Sequence, residues 1–211
     1  MSEKFSLQSL CVGMIQTNCY LLGDTGTGKM AVIDPGAEGE RIVKAINNGK
    51  WTLSAIINTH GNFDHTGANG TLKKHSGAKV YIHKEDAEFL LNPDFNGSSF
   101  MPEHTVCAKA DVLVEDGEEI KIGGLTLKVI HTPGHTPGGI SLYCKDINIM
   151  FTGDTLFRGD AGRTDLAGGS EETLMKSLRL YLKYPPATVI YPGHGPKSTL
   201  KEEFENNQYL L

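Results

Sequence analysis

Four short apolar runs in this chain each end in a stretch carrying His or Asp beside glycine, and that recurrence constrains the fold more than any other feature. LSAIINT runs into His60, Asn62, Asp64 and His65; LTLKVI runs into HTPGHTPGG; INIMF leads to Gly153-Asp154; and ATVIY leads to Tyr191-Pro192-Gly193-His194-Gly195. An apolar run of four to eight residues bounded by turn residues reads as a strand. Loops at strand ends project side chains from a rigid frame, and glycine lets them approach closely. Strand ends that repeatedly deliver imidazole or carboxylate therefore predict an α/β fold whose chemistry sits at those ends.

The remaining pattern fits that fold class. FSLQSLCV, NCYLL and MAVID, separated by turns, read as an antiparallel meander. EGERIVKAINNGK reads as a helix with Ile42, Val43, Ala45 and Ile46 on one side and Gly49 as its stop. A helix over 66–75, the strand KVYIH and a short helix KEDAEFLL follow, then the Pro/Gly/Ser-rich loop 92–104, long enough for a lid or a substrate-facing segment. EEIKI, GLTLKVI, GISLYC and INIMF are further strands. SEETLMKSLRLYLKY reads as a helix capped by Ser170, before the strand ATVIY and a terminal helix. Strands and helices mix in both halves with no linker between them, so residues 1–211 are expected to form one domain.

Several function classes are excluded on composition. The net charge is −5, with acids and bases interspersed and no Lys/Arg block to track a phosphate backbone, so nucleic acid is not an expected partner. No run approaches the ~20 apolar residues of a membrane span, and the start lacks a signal-peptide core, which makes the cytoplasm the expected location. Cys11, Cys19, Cys107 and Cys144 are scattered without a CxxC and read neither as a zinc ribbon nor as a disulfide framework. Gly23-Asp-Thr-Gly-Thr-Gly28-Lys29 has phosphate-loop spacing as far as the Lys. It then places Met30 where a Ser/Thr would hold magnesium and a strand where a helix is needed, so it reads as a hairpin turn.

A lone His is more often structural than a ligand, and His75, His83 and His104 are read that way. The His and Asp residues at the strand ends form a nitrogen and carboxylate set without thiolates, which suits zinc, iron or manganese. Within HTPGHTPGG, spacing alone does not choose between His131 and His135.

THGNFDH, HTPGHTPGG, FTGDTLFRGDAGRTDL and YPGHG, in this order, resemble the metallo-β-lactamase superfamily, and within it the short hydrolases similar to glyoxalase II. The resemblance runs from QTNCYLL through VIDPG to the final strand. It implies a four-layer αββα sandwich, two mixed sheets with helices on the outer faces, and a dinuclear metal site at one edge. The family's motif is His-x-His-x-Asp-His. Carried over, it implies a first metal held by His60, the residue at 62 and His135, and a second held by Asp64, His65 and His194. Asp154 would bridge the two, and His131 would pack behind the site. The departure is Asn62, where the family has His; a carboxamide oxygen is a harder and weaker zinc ligand, so the first site should lose affinity or select a harder ion.

The implied cofactor is one or two zinc ions, with iron or manganese as alternatives. The implied function is hydrolysis of a small-molecule thioester or ester, in the manner of a hydroxyacylglutathione hydrolase. A metal lowers the pKa of a bound water to ~7, Asp64 would orient the hydroxide, and a thiolate leaves without a general acid. Arg158 and Arg163 are candidates for binding a substrate carboxylate, although Arg163 could equally brace its loop by pairing with Asp165. Glutathione-selective relatives carry a further helical region after the last His, whereas this sequence stops seventeen residues after His194; a smaller or broader thioester range is expected. Two alternatives stay open. His60, His135 and Asp154 alone match the facial arrangement of a mononuclear-iron persulfide dioxygenase, a group that shares a GRTD segment like Gly162-Arg163-Thr164-Asp165. Loss of the first site through Asn62 would instead leave a weakly active or non-catalytic metal-binding protein. The sequence sets no oligomeric state.

Overall fold

A computed structural model describes residues 4–101, 105 and 107–211; His104 lies outside them. β1 (Phe5–Val12), β2 (Thr17–Asp24) and β3 (Lys29–Ile33) form the expected antiparallel meander. After α1 (Gly39–Asn48), the chain adds β4 (Thr52–Ile57) parallel to β3. The predicted helix over 66–75 is two pieces, α2 (Phe63–Thr66) and α3 (Asn69–Ser76). The break has a local cause: the Ala68 amide turns to the Pro35 carbonyl (2.8 Å), and Gly67 packs so close to the Gly36 carbonyl that a Cβ would stand 2.4 Å from it. β5 (Lys79–His83) and β6 (Val112–Val114) complete a six-stranded sheet in the order β1-β2-β3-β4-β5-β6. The three-residue β6 is too short to stand out in sequence.

Between β5 and β6 the segment KEDAEFLL is not a regular helix. It makes one 3-10 turn over Lys84–Asp86 and continues in turns to Leu91. Asp86 is drawn fully inside, where its carboxylate accepts three hydrogen bonds, and a solvent-facing helix could not deliver it there. The loop 92–104 holds a single helical turn, α4 (Pro93–Asn96), capped by the Asn92 side chain, and a 3-10 turn at Ser98–Phe100.

The second sheet takes β7 (Glu119–Ile122), β8 (Leu125–His131), β9 (Ile140–Cys144) and β10 (Ile149–Gly153) as antiparallel neighbours. A small hairpin, β11 (Leu156–Phe157) and β12 (Asp160–Ala161), stands outside both sheets. Ser170 caps α5 (Glu171–Leu180) as expected; β13 (Val189–Pro192) then joins β10 in parallel, followed by the edge strand β14 (Ser198–Thr199) and α6 (Leu200–Asn206). Thr199 and Glu202 close a capping box at the start of α6.

Side-chain alternation fixes the layering. Tyr20, Leu22, Ala31, Ile33 and Ile57 of the first sheet meet Ile122, Leu127, Val129, Leu142 and Phe151 of the second in one buried core. Their neighbours Cys19, Leu21, Met30, Val32 and Ile56 face the other way, against Ile42, Val43 and Ile46 of α1 and Leu72 of α3. Ile130, Met150 and Ile190 likewise pack under Leu174 and Leu178 of α5 and Leu200 of α6. Strands apolar on both faces thus bury each sheet twice, which gives the αββα sandwich.

Candidate metal centre

Strand direction brings the strand-end residues together. β3 and β4 are parallel, as are β10 and β13; β8 is antiparallel to β9, and β9 to β10, so β8 points the same way as β10. The loops after β8, β10 and β13 therefore leave the second sheet on one side, and short distances bring the loop after β4 of the first sheet to the same edge. His65 Nε2 lies 3.2 Å from His194 Nε2 and 3.5 Å from both Asp64 Oδ2 and Asp154 Oδ1. His194 Nε2 is 3.3 Å from Asp64 Oδ2 and 3.5 Å from Asp154 Oδ2, and His135 Nε2 is 3.7 Å from Asp154 Oδ2. Donor atoms of His60, His65 and Asp154 fall within 4.8 Å of one another, as do those of Asp64, His65 and His194. His65 thus stands between the two groups. Gly193 is required here, because a Cβ on it would meet Asp154 Oδ1 at 2.1 Å.

Neighbouring groups decide which ring nitrogen faces the cluster. The Thr59 hydroxyl donates to Asp34 Oδ2 (2.7 Å), which leaves its oxygen to accept from His60 Nδ1 (3.1 Å). His135 Nδ1 lies 2.8 Å from the Arg163 carbonyl, which can only accept. His65 Nδ1 is 3.1 Å from Asp34 Oδ2, close but off the hydrogen-bond direction. With Nδ1 protonated, the Nε2 lone pairs of His60 and His135 face the cluster, the tautomer a metal requires, and His65 takes the same form once it gives up its Nε2 proton.

The electrostatics set the charge on each group. Burial, reinforced by the neighbouring His65, His135 and His194, pushes the His60 pKa well below its ordinary value, so His60 is neutral. Burial alone would lower His65 too, but Asp154, Asp64 and Asp34 outweigh it and raise it to about 10. Burial would raise Asp64; the His65 charge and the His194 hydrogen bond reverse that and hold it ionised far below the usual carboxylate range. His194 is raised: burial opposes its charge, and Asp64 and Asp154 overcome that. Among the described residues, His60 Nε2, His135 Nε2 and Asp154 Oδ1 are buried and lack a hydrogen-bond partner. Each such atom costs ~1–3 kcal/mol unless something satisfies it. Three of them converging between carboxylates fit a bound cation.

Asn62 stands at the N-cap of α2 but does not cap it with its side chain, although Asn is a preferred capping residue. Its carbonyl accepts from the His65 amide and the Thr66 hydroxyl, each at 3.0 Å, and its side chain lines the cleft over the cluster. That cleft, about 500 Å³, is also lined by Asp64, His135, Asp154, His194 and Arg163. Arg163 is bound to Asp165 through Nε and Nη2 at 2.6 and 2.8 Å. Arg158 is exposed and does not line the cleft. His131 is outside the cluster: its Nε2 meets the Pro137 carbonyl at 2.8 Å and its ring stacks on His83 at 4.0 Å. The tandem HTPGHTPGG thereby sends its second His, not its first, to the site.

Sequence reasoning missed three supporting residues. Asp34, held at φ 52° just after β3, accepts from the Thr59 amide and hydroxyl and stands beside His65. Thr59 passes that order to His60 and, through its carbonyl, to the Ile140 amide of the other sheet (2.8 Å). Asp86 accepts from the Gly61 amide (2.8 Å), the Thr136 hydroxyl (2.7 Å) and the Gly138 amide (2.5 Å), tying the His60 loop to the His135 loop. The available signal was Asp34 before Pro35-Gly36, an acid beside a turn at a strand end; for Asp86 there was none, because its partners are distant in sequence.

The family model for the metallo-beta-lactamase superfamily matches residues 12–194. A Bacillus subtilis protein named "Probable metallo-hydrolase YqgX" is 39% identical, over 94% of each chain. The Haemophilus influenzae "Hydroxyacylglutathione hydrolase GloC" is 34% identical over 97% of this chain and 98% of its own. Among solved structures, TTHA1623 in a di-iron-bound form superposes with a TM-score of 0.87 at 32% identity, covering 96% of this chain and all of that one.

Proposed function

The chain belongs to the metallo-beta-lactamase superfamily, and on that premise we propose that it is a dinuclear metal-dependent hydrolase acting on a thioester or ester. The observation that carries the reading is the set of unpartnered, inward-facing ligand atoms on His60, His135 and Asp154, beside the Asp64, His65 and His194 group, beneath an open cleft. His60, His135, Asp154 and weakly Asn62 would hold one ion; Asp64, His65 and His194 would hold the other, with Asp154 between them. Such ions supply Lewis acidity toward the substrate carbonyl and acidify a water.

The chain's own groups do the rest. Asp64, ionised and fixed by the Thr17 hydroxyl at 3.1 Å, orients the attacking water by accepting its hydrogen bond. Asp34 and Thr59 hold His65 and His60 in the tautomers that bind metal. A thiolate, whose conjugate acid has a pKa of ~8.5, departs without protonation, in keeping with the lack of a spare general acid in the sequence. The name of the 34%-identical GloC supports thioester chemistry, and the di-iron form of a 32%-identical relative supports two ions. A mononuclear-iron dioxygenase using His60, His135 and Asp154 alone leaves the Asp64, His65 and His194 group without a role, so the hydrolase reading is preferred.

The test is thiol release from acetyl and lactoyl thioesters by metal-loaded protein. Hydrolysis lost on chelation and restored by zinc, iron or manganese is expected. No release by loaded protein, or release indifferent to chelation, would contradict it.

A further inference from the structure

A second cleft, about 450 Å³, opens on the Asp64 and Thr17 side of the metal centre. Val12, Ile15, Ala37, Phe63 and Met101 wall it; among the described lining residues Asp64 is its one charged group. Ile15, Phe63, Asp64 and Met101 also line the first cleft, so the two are continuous past the cluster. Apolar side chains stand in solvent along this continuous surface: Met14, which lines the second cleft, is 84% exposed, and Phe100, which lines the first, 82%. Exposed apolar groups gathered at a concave site mark a place where an apolar ligand is received.

Charge points the same way. The one Lys or Arg side chain among the described lining residues of either cleft is Arg163, and Asp165 already occupies its Nε and Nη2. In the second cleft an anionic arm would meet apolar walls and no Lys or Arg among the described lining residues, whereas an uncharged hydrocarbon arm meets matching walls.

Resting on the hydrolase reading above, we propose that this second cleft receives the acyl arm of the substrate and selects an uncharged, apolar acyl chain over a charged one. In the reaction a water oxygen bonds to the acyl carbon, the C–S bond breaks with its electron pair on sulfur, and the released proton goes to solvent or thiolate. The products are an apolar carboxylic acid and a free thiol.

The test uses metal-loaded protein and 2-oxoalkyl thioethers of N-acetylcysteamine, from 2-oxopropyl to 2-oxooctyl, which keep the carbonyl and cannot be hydrolysed. Calorimetry should show Kd falling about four-fold per added methylene until the cleft is filled, the burial value of a CH2 group. A terminal carboxylate on the longest chain should erase that gain, and Ile15→Asp should reduce the step to below about two-fold per methylene. A flat series with wild-type protein, a carboxylate analogue bound as tightly as its methyl counterpart, or an unchanged gradient in Ile15→Asp overturns the proposal. Hydrolysis of the matching acyl thioesters is measured separately. A binding gradient without any hydrolysis upholds the apolar site and defeats the hydrolase reading; hydrolysis of acetyl thioester without a gradient does the reverse.

Discussion

Asp86→Asn tests how the loops of the candidate metal centre are held. Asp86 Oδ2 takes the Gly61 amide and the Thr136 hydroxyl while Oδ1 takes the Gly138 amide at 2.5 Å. An Asn side chain is nearly the same shape but exchanges one acceptor for an NH2 donor. If its oxygen faces Gly61 and Thr136, its NH2 abuts the Gly138 amide. If it is flipped, the NH2 abuts the Gly61 amide, and only the Thr136 hydroxyl can rotate to adapt. Either way one buried backbone N–H loses its acceptor, costing ~1–3 kcal/mol. In a protein of this size, each kcal/mol lowers Tm by ~2–4 °C, so metal-free Asp86→Asn should melt ~2–12 °C below metal-free wild type. Gly61 adjoins His60 and Thr136 adjoins His135, so metal affinity should also weaken by ~10-fold, the lower end for supports of a metal site. Thermal unfolding of chelated and metal-loaded forms separates the two losses, since the metal contribution appears only in the loaded pair. An unchanged Tm in both forms would refute the hydrogen-bond reasoning; a Tm loss with unaltered metal affinity would refute the link to the site.

Three further outcomes are expected. Asn62→His should raise metal affinity at the His60 and His135 position and raise thioesterase activity with it; unchanged metal content, read by equilibrium dialysis, would show that the carboxamide was no defect. Metal-free protein holds the His65 proton more tightly than the unfolded chain, with a pKa of about 10 against 6.5. That contribution is complete below about pH 6.5 and is lost as pH rises through about 10, so chelated protein should lose stability over this window. Metal uptake at pH 7 should also release a proton, visible as a buffer-dependent calorimetric heat; a heat independent of buffer contradicts the assignment.

Much of this architecture was readable from residues because each signal is local. The runs LSAIINT, LTLKVI, INIMF and ATVIY are strands, and every loop that follows them carries a residue of the cluster. Ser170 caps its helix with no tertiary help needed. What local pattern could not supply depends on long-range pairing. β6 exists because β5 offers an edge, and KEDAEFLL abandons helical form because Asp86 is needed by Gly61 and Gly138, 25 and 52 residues away. The split between α2 and α3 depends on Pro35 and Gly36, and the placement of His135 over His131 on the Arg163 carbonyl. Asp34 was visible as part of VIDPG, but its role emerges only when β3 and β4 lie side by side.

On the hydrolase reading, His60, Asp64, His65, His135, Asp154 and His194 form a two-ion centre that Asn62 weakens on one side. Metal content per chain, measured by mass spectrometry across a titration of metal-free protein with zinc and with iron, tests it most directly. Saturation is expected at two ions, one retained through gel filtration and one exchangeable, with His194→Ala removing the retained ion and His135→Ala the exchangeable one. Saturation at one ion, no retained ion, or metal binding indifferent to both substitutions would contradict it.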